Sequence, residues 1–176
     1  MIELLPDIQA ALTWQDYGPQ PDIDGAWLKP LKKHRAPEGS FMELMRFNGG
    51  QIEDLPTTME PRQVSISLAD PHRINAFHIH PRRGQNEIWT VVAGKMTVWL
   101  IDCRRASPTA GNKRRYLLSG EEPAHLHIPA GVAHGYKAGP TGATLIYVMD
   151  QQFDAGDPDE GRLPAGLFDG ESPIAW

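Results

Sequence analysis

Three histidines and a glutamate are spaced along this chain as metal ligands or proton carriers would be. His78-Ile-His80 is followed after six residues by Glu87 and after six more by Gly94, and Pro129-Ala-Gly131-Val-Ala-His134 lies further on. In an extended strand alternate side chains share a face, so His78 and His80 project together. A carboxylate at the start of the next strand and a third histidine after a Pro/Gly turn can close around one point. Three imidazoles and one carboxylate suit one divalent ion such as zinc, nickel, iron or manganese. The same residues can instead supply the base that takes a proton from carbon beside a ketone, since an imidazole titrates near about pH 6.5. A metal-bound imidazole is not a free base, so His78 serves as ligand or as base, not as both at once.

The elements that would hold these residues are short strands. Sixteen prolines and seventeen glycines, spread through 176 residues, cut the chain into brief segments. Strands are expected at 40–47, 63–68, 74–79, 87–93, 95–102, 114–118, 124–128 and 143–149, with one short helix at 4–12 entered at Pro6. The β-branched and aromatic runs on either side of Ala93-Gly94-Lys95 read as a tight hairpin. Eight short strands without interleaved helices imply an all-β sandwich or barrel. The expected organisation is one domain. It has an N-terminal arm over about 1–38, a barrel over about 39–152 and an irregular, Asp/Gly/Pro-rich tail over about 153–176.

Composition narrows the function. A net charge of −5 argues against a nucleic-acid binder with a broad basic face. No stretch approaches the roughly 20 apolar residues of a membrane helix. The first residues lack a basic, apolar leader, and a lone Cys103 fits a reducing compartment. A cytoplasmic protein is therefore expected. Cys103 reads as a small packing residue. His34 and His72 read as solvated, and His125 and His127 as a pair on an outer face or rim of the sheet. Trp89, Trp99, Phe77 and Tyr136 read either as core or as the aromatic lining of a sugar site. Arg82 and Arg83, between the paired histidines and Glu87, are candidate phosphate contacts.

The pattern resembles the two motifs of the cupin superfamily, a double-stranded β-helix or jelly-roll barrel. Its first motif is His-x-His, a short gap, Glu, six residues and Gly, and its second is Pro-x-Gly-x-x-His. The gap before Glu87 is longer here than is usual in that superfamily. Resemblance to metal-binding cupins implies His78, His80, Glu87 and His134 as ligands. From Ser40 to Tyr147 the chain also resembles the cupin-like dTDP-4-dehydrorhamnose 3,5-epimerase family. The matching stretches are Gly39-Ser-Phe-Met-Glu43, Ile74-Asn-Ala-Phe-His78, Asp102 with Ser107-Pro108-Thr109, and Ile128-Pro-Ala-Gly-Val-Ala-His-Gly135 with Tyr147 beyond it.

That second resemblance implies His78 as base, Tyr147 as acid and Asp169 as the carboxylate that orients the base. It implies Phe41, Glu43, Gln63 and Asn75 as substrate contacts, and His134 near the diphosphate. It implies catalysis without a metal, a sugar or nucleotide-sugar substrate, and a homodimer formed by exchange of N-terminal strands. The chain departs from the family where Asn75 replaces a diphosphate-binding arginine, Glu87 replaces the lysine that steadies the enolate, and Glu38 replaces a third cation. Three readings remain open: an epimerase or isomerase of a 4-keto nucleotide sugar; a metal-dependent cupin isomerase, decarboxylase or dioxygenase; and a non-catalytic sugar-binding cupin.

Overall fold

The computed structural model describes residues 2–14 and 17–168. A short helix, Pro6–Ala11, precedes twelve strands. These are β1 (Trp27–Pro30), β2 (His34–Ala36), β3 (Gly39–Phe41), β4 (Phe47–Asn48), β5 (Gln51–Ile52), β6 (Gln63–Ala69), β7 (Ile74–Ile79), β8 (Glu87–Asp102), β9 (Lys113–Ser119), β10 (Ala124–Ile128), β11 (Val132–Met149) and β12 (Gly161–Arg162). The main sheet runs β1-β10-β8-β11-β7-β12, with β6 added to β11 and β9 to β8, and its pairs are antiparallel. No helix of the described residues is long and apolar enough to cross a membrane.

Two long strands build the jelly roll. β8 and β11 lie side by side from the Val132–Asp102 pair to the Met149–Glu87 pair, and their register breaks between Ala138 and Ala143. On one side of that break β8 pairs with β10 and β11 pairs with β6. On the other side β8 pairs with β9 and β11 with β7. Each long strand therefore serves both halves of a folded-over sheet.

This arrangement corrects the hairpin expected at Gly94. Residues 87–93 and 95–102 do not pair with each other; they are one continuous strand turning a corner. Gly94 does take a positive φ, +71°, as a turn would need. A Cβ there would lie 2.1 Å from the Gly142 carbonyl oxygen, so the glycine permits the close crossing of β8 and β11 at the corner.

The core lies between the two halves. Val91, Val98, Leu100, Leu126 and Leu145 are fully enclosed in its larger cluster, and Phe77 packs with Trp99 and Ile101 in a second one. β10 sits between β1 and β8, which corrects the rim position expected for His125 and His127: both are buried. His125 Nε2–H donates to the Leu44 carbonyl (2.7 Å) and Nδ1 accepts from the Thr90 hydroxyl (2.6 Å). The His127 ring stacks on Trp27 at 5.0 Å. Cys103, expected to pack, is exposed, while His34 and His72 are exposed as expected. The tail is less irregular than expected, since β12 pairs with β7 at the sheet edge.

Candidate active site

β7, β8, β11 and the 150–162 segment enclose a cavity of about 460 Å³, a size suited to a small ligand. His78, His80, Glu87, His134, Tyr147, Gln63 and Asn75 all line it. Phe41 and Glu43 do not. Phe41 is exposed on β3, and Glu43 is tied to Arg46 at 2.9 Å on the surface. Asp169 lies outside the described residues.

The four expected ligands separate into a triad and a lone histidine. His80, Glu87 and His134 bring one ligand atom each to within 4.8 Å of one another. Glu87 Oε1 lies 3.0 Å from His80 Nε2 and 3.5 Å from His134 Nε2. The far nitrogens are held by backbone. His80 Nδ1 meets the Asp159 carbonyl, and His134 Nδ1 donates to the Val132 carbonyl at 3.1 Å. Those bonds turn both Nε2 atoms toward the carboxylate. Glu87 is further fixed by Gln85 Nε2 (2.8 Å) and Trp89 Nε1 (2.6 Å).

Burial pushes the Glu87 carboxyl up, but the charges of His134 and His80 and the bonds from His80 and Trp89 outweigh it and hold it at about 2. Burial pulls His80 down, yet its bond to Glu87 leaves it raised. Burial wins at His134, which is lowered.

His78 is not part of the triad, although its ring centroid lies 5.9 Å from that of His134. Its Nε2 lies 2.7 Å from Asn75 Oδ1 and accepts from the Arg162 guanidinium, and its Nδ1 lies 3.4 Å from Glu160 Oε1. Burial first, then the neighbouring His134 and Arg162 charges, hold His78 at about 3, so the ring is neutral at working pH. Arg162 also pairs with Glu160 at 2.6 Å. Tyr147 is half-buried on the part of β11 that pairs with β6. Burial raises its phenol and a bond with Ser65 opposes that, which leaves the hydroxyl protonated.

Sequence reasoning missed Glu160 and Arg162, which lie in the tail read as irregular. No periodic run in that stretch signalled them. It also missed Arg73, a third cation at the cavity. Arg82 and Arg83 are held by the tail: Arg82 Nη1 lies 2.8 Å from Asp157 Oδ1, and the Arg83 amide donates to Asp159 at 2.7 Å. The aromatic candidates divide. Trp89 and Tyr136 belong to the larger core cluster and also line the cavity, while Phe77 and Trp99 belong to the second cluster alone.

A bent antiparallel jelly roll with a histidine-rich cavity between its halves defines a cupin-like protein. The model of the dTDP-4-dehydrorhamnose 3,5-epimerase family matches residues 20–163, and the chain belongs to that family of isomerases. It is 37% identical to the spore coat polysaccharide biosynthesis protein SpsL of Bacillus subtilis over 143 residues, covering 81% of this chain and 89% of the relative. It is 28% identical to the probable low-salt glycan biosynthesis epimerase Agl13 of Haloferax volcanii, covering 82% and 89%. Among solved structures, a dTDP sugar isomerase from Desulfovibrio desulfuricans superposes with a TM-score of 0.71 at 26% identity, over 84% of this chain and 90% of that one.

Proposed function

We infer that this protein epimerises a 4-keto sugar carried on a nucleoside diphosphate, with His78 as the base. The observation that carries the reading is that His78 lies outside the triad with a neutral imidazole, whose Nε2 can take a proton once Arg162 releases it. Glu160, 3.4 Å from Nδ1, takes the orienting role expected of Asp169 and stabilises the imidazolium as it forms. Arg162 opposes that protonation while it donates to Nε2. A diphosphate in the cavity offers the guanidinium a stronger acceptor. Arg73, Arg83 and Arg162 supply cationic lining where Asn75 and Glu87 do not. Tyr147, on the other half of the sheet, returns a proton to the carbon. Incubation with a dTDP-linked 4-keto-6-deoxy sugar, followed by NMR, should show inversion at carbons beside the ketone; an unchanged sugar would count against the reading.

A homodimer fits the same structure. β6 turns Gln63, Ser65 and Ser67 inward, while Val64, Ile66 and Leu68 are each more than 60% exposed on its outer face. An apolar stripe on an edge strand is a docking surface, and a second copy would cover it. The partner copy would also offer a place for the exposed Phe41 and Glu43, which do not reach the cavity of their own chain. The protein should run at twice its 19.5 kDa at micromolar concentration, and a monomer would contradict this. With its lone cysteine reduced, such an enzyme suits the cytoplasm.

The triad also fits one divalent ion. Two Nε2 atoms aimed by Nδ1 hydrogen bonds, and a carboxylate held by neighbouring donors, are the supports that metal ligands need. His80, Glu87 and His134 would hold the ion, and His78 would not. An ion there would act as a Lewis acid toward a nearby ketone oxygen. After reconstitution with zinc, nickel, iron or manganese, the protein should carry close to one equivalent, and His80→Ala should strip it. Background metal content after all four would leave the triad as a proton-sharing cluster and its ligand role disproved.

A further inference from the structure

Tyr136 follows His134 by two residues on β11 and lines the same cavity. It is 3% exposed, and its ring meets the Trp89 ring edge-on at 6.0 Å. Its hydroxyl is buried and has no hydrogen-bond partner among the described residues. Burying a hydroxyl without a partner costs about 1–3 kcal/mol, and folded proteins keep few such groups without a reason. A phenylalanine would place the same ring against Trp89 without that cost. The hydroxyl is therefore a donor waiting for an acceptor that arrives with the ligand.

Its neighbours suggest which acceptor. Tyr136 pairs across the strands with Asn75, and Asn75 Oδ1 lies 2.7 Å from the His78 imidazole. Tyr136 also acts on the Tyr147 phenol. Base, acid and the Tyr136 side chain thus line one cavity. Removing a proton beside a ketone leaves negative charge on the ketone oxygen, and that charge needs a donor fixed in advance. Glu87 cannot be that donor, since its carboxylate only accepts and is engaged by His80, Gln85 and Trp89.

We propose that the Tyr136 hydroxyl donates to the substrate's C4 oxygen and stabilises it as the enolate forms. This rests on the epimerase reading of the cavity. When the C–H bond breaks, its proton passes to His78 and its electron pair becomes the C=C bond. The former carbonyl π pair moves onto the oxygen that Tyr136 faces, and Tyr136 keeps its own proton. Tyr147 then delivers its proton to the carbon from the other side and the C=O bond re-forms. His78 is left protonated and Tyr147 deprotonated, and exchange with water restores both.

Tyr136→Phe removes the hydroxyl and little else. In this variant kcat and the rate of solvent-deuterium uptake should fall together, by about 10²–10³-fold, with KM changed by less than about threefold. Thermal stability should stay level or rise, because no protein hydrogen bond is lost. A fall in kcat smaller than about tenfold overturns the proposal. So does a loss confined to KM, which a contact made equally to substrate and transition state would give. A drop in Tm with undiminished turnover per folded molecule also overturns it, by assigning the hydroxyl a structural role. Absence of exchange in the wild type would instead remove the epimerase reading on which the proposal rests. Exchange in the wild type that Tyr136→Phe matches removes only the proposal.

Discussion

His78→Asn should slow removal of the proton beside the substrate ketone by about 10²–10⁴-fold. Asparagine's amide sits where Nδ1 does, so Glu160 keeps a partner, and Arg162 keeps Glu160 and Asn75, but the amide cannot accept a proton at neutral pH. The other cavity histidines do not substitute. His80 Nε2 and His134 Nε2 are both directed at Glu87, and their Nδ1 atoms are held by backbone carbonyls. Turning either ring toward the substrate would break those bonds and strand a buried carboxylate. Stopped-time deuterium uptake by NMR measures the effect. Residual exchange above about one tenth of wild type would rule out His78 as the base.

Asp102→Asn should lower the stability of the fold by about 2–4 kcal/mol and leave turnover per folded molecule unchanged. Asp102 is buried at the end of β8, outside the cavity. Its carboxylate accepts from Arg104 Nε and Nη2 at 2.8 Å, and from the Ser107 and Thr109 hydroxyls at 2.6 Å. Through Arg104 and Thr109 the same cluster holds Asp24 of the N-terminal segment. An amide in that place loses the charge and turns a donor toward other donors. Burial pushes the Asp102 carboxyl up, but these bonds outweigh it and hold it well below the usual carboxylate range. Its stabilisation is therefore present above the unfolded value of about 3.9 and is lost as pH falls below it. Between about pH 5 and pH 2, denaturant midpoints should converge for wild type and Asp102→Asn. A constant gap would show that the charge is not what stabilises the loop.

Much of the site was legible because it obeys strand periodicity. The period-2 spacing of His78 and His80, and the turn before His134, bring all four expected ligands to the cavity lining, but only His80, Glu87 and His134 cluster. β7 and β10 have the expected bounds. What was not legible depends on partners distant in sequence. A glycine at positive φ serves a hairpin and a corner equally well, and only the pairing of β8 with β11 along its length decides between them. His125 and His127 alternate like any rim pair, and β1, about a hundred residues earlier, is what covers their strand. Glu160 and Arg162 sit among Asp, Gly and Pro, where no periodic run announces an element, yet β12 docks on β7 and carries them to His78. The same docking gives His78 its partners Glu160 and Arg162.

The most direct measurement is solvent-deuterium incorporation by the wild-type protein into a 4-keto nucleotide sugar, followed by NMR in heavy water with and without added divalent metal. Deuterium should appear at carbons flanking the ketone, with inversion there, and His78→Asn should abolish it. A protein that binds the nucleotide sugar but leaves those protons in place under both conditions would contradict the epimerase reading.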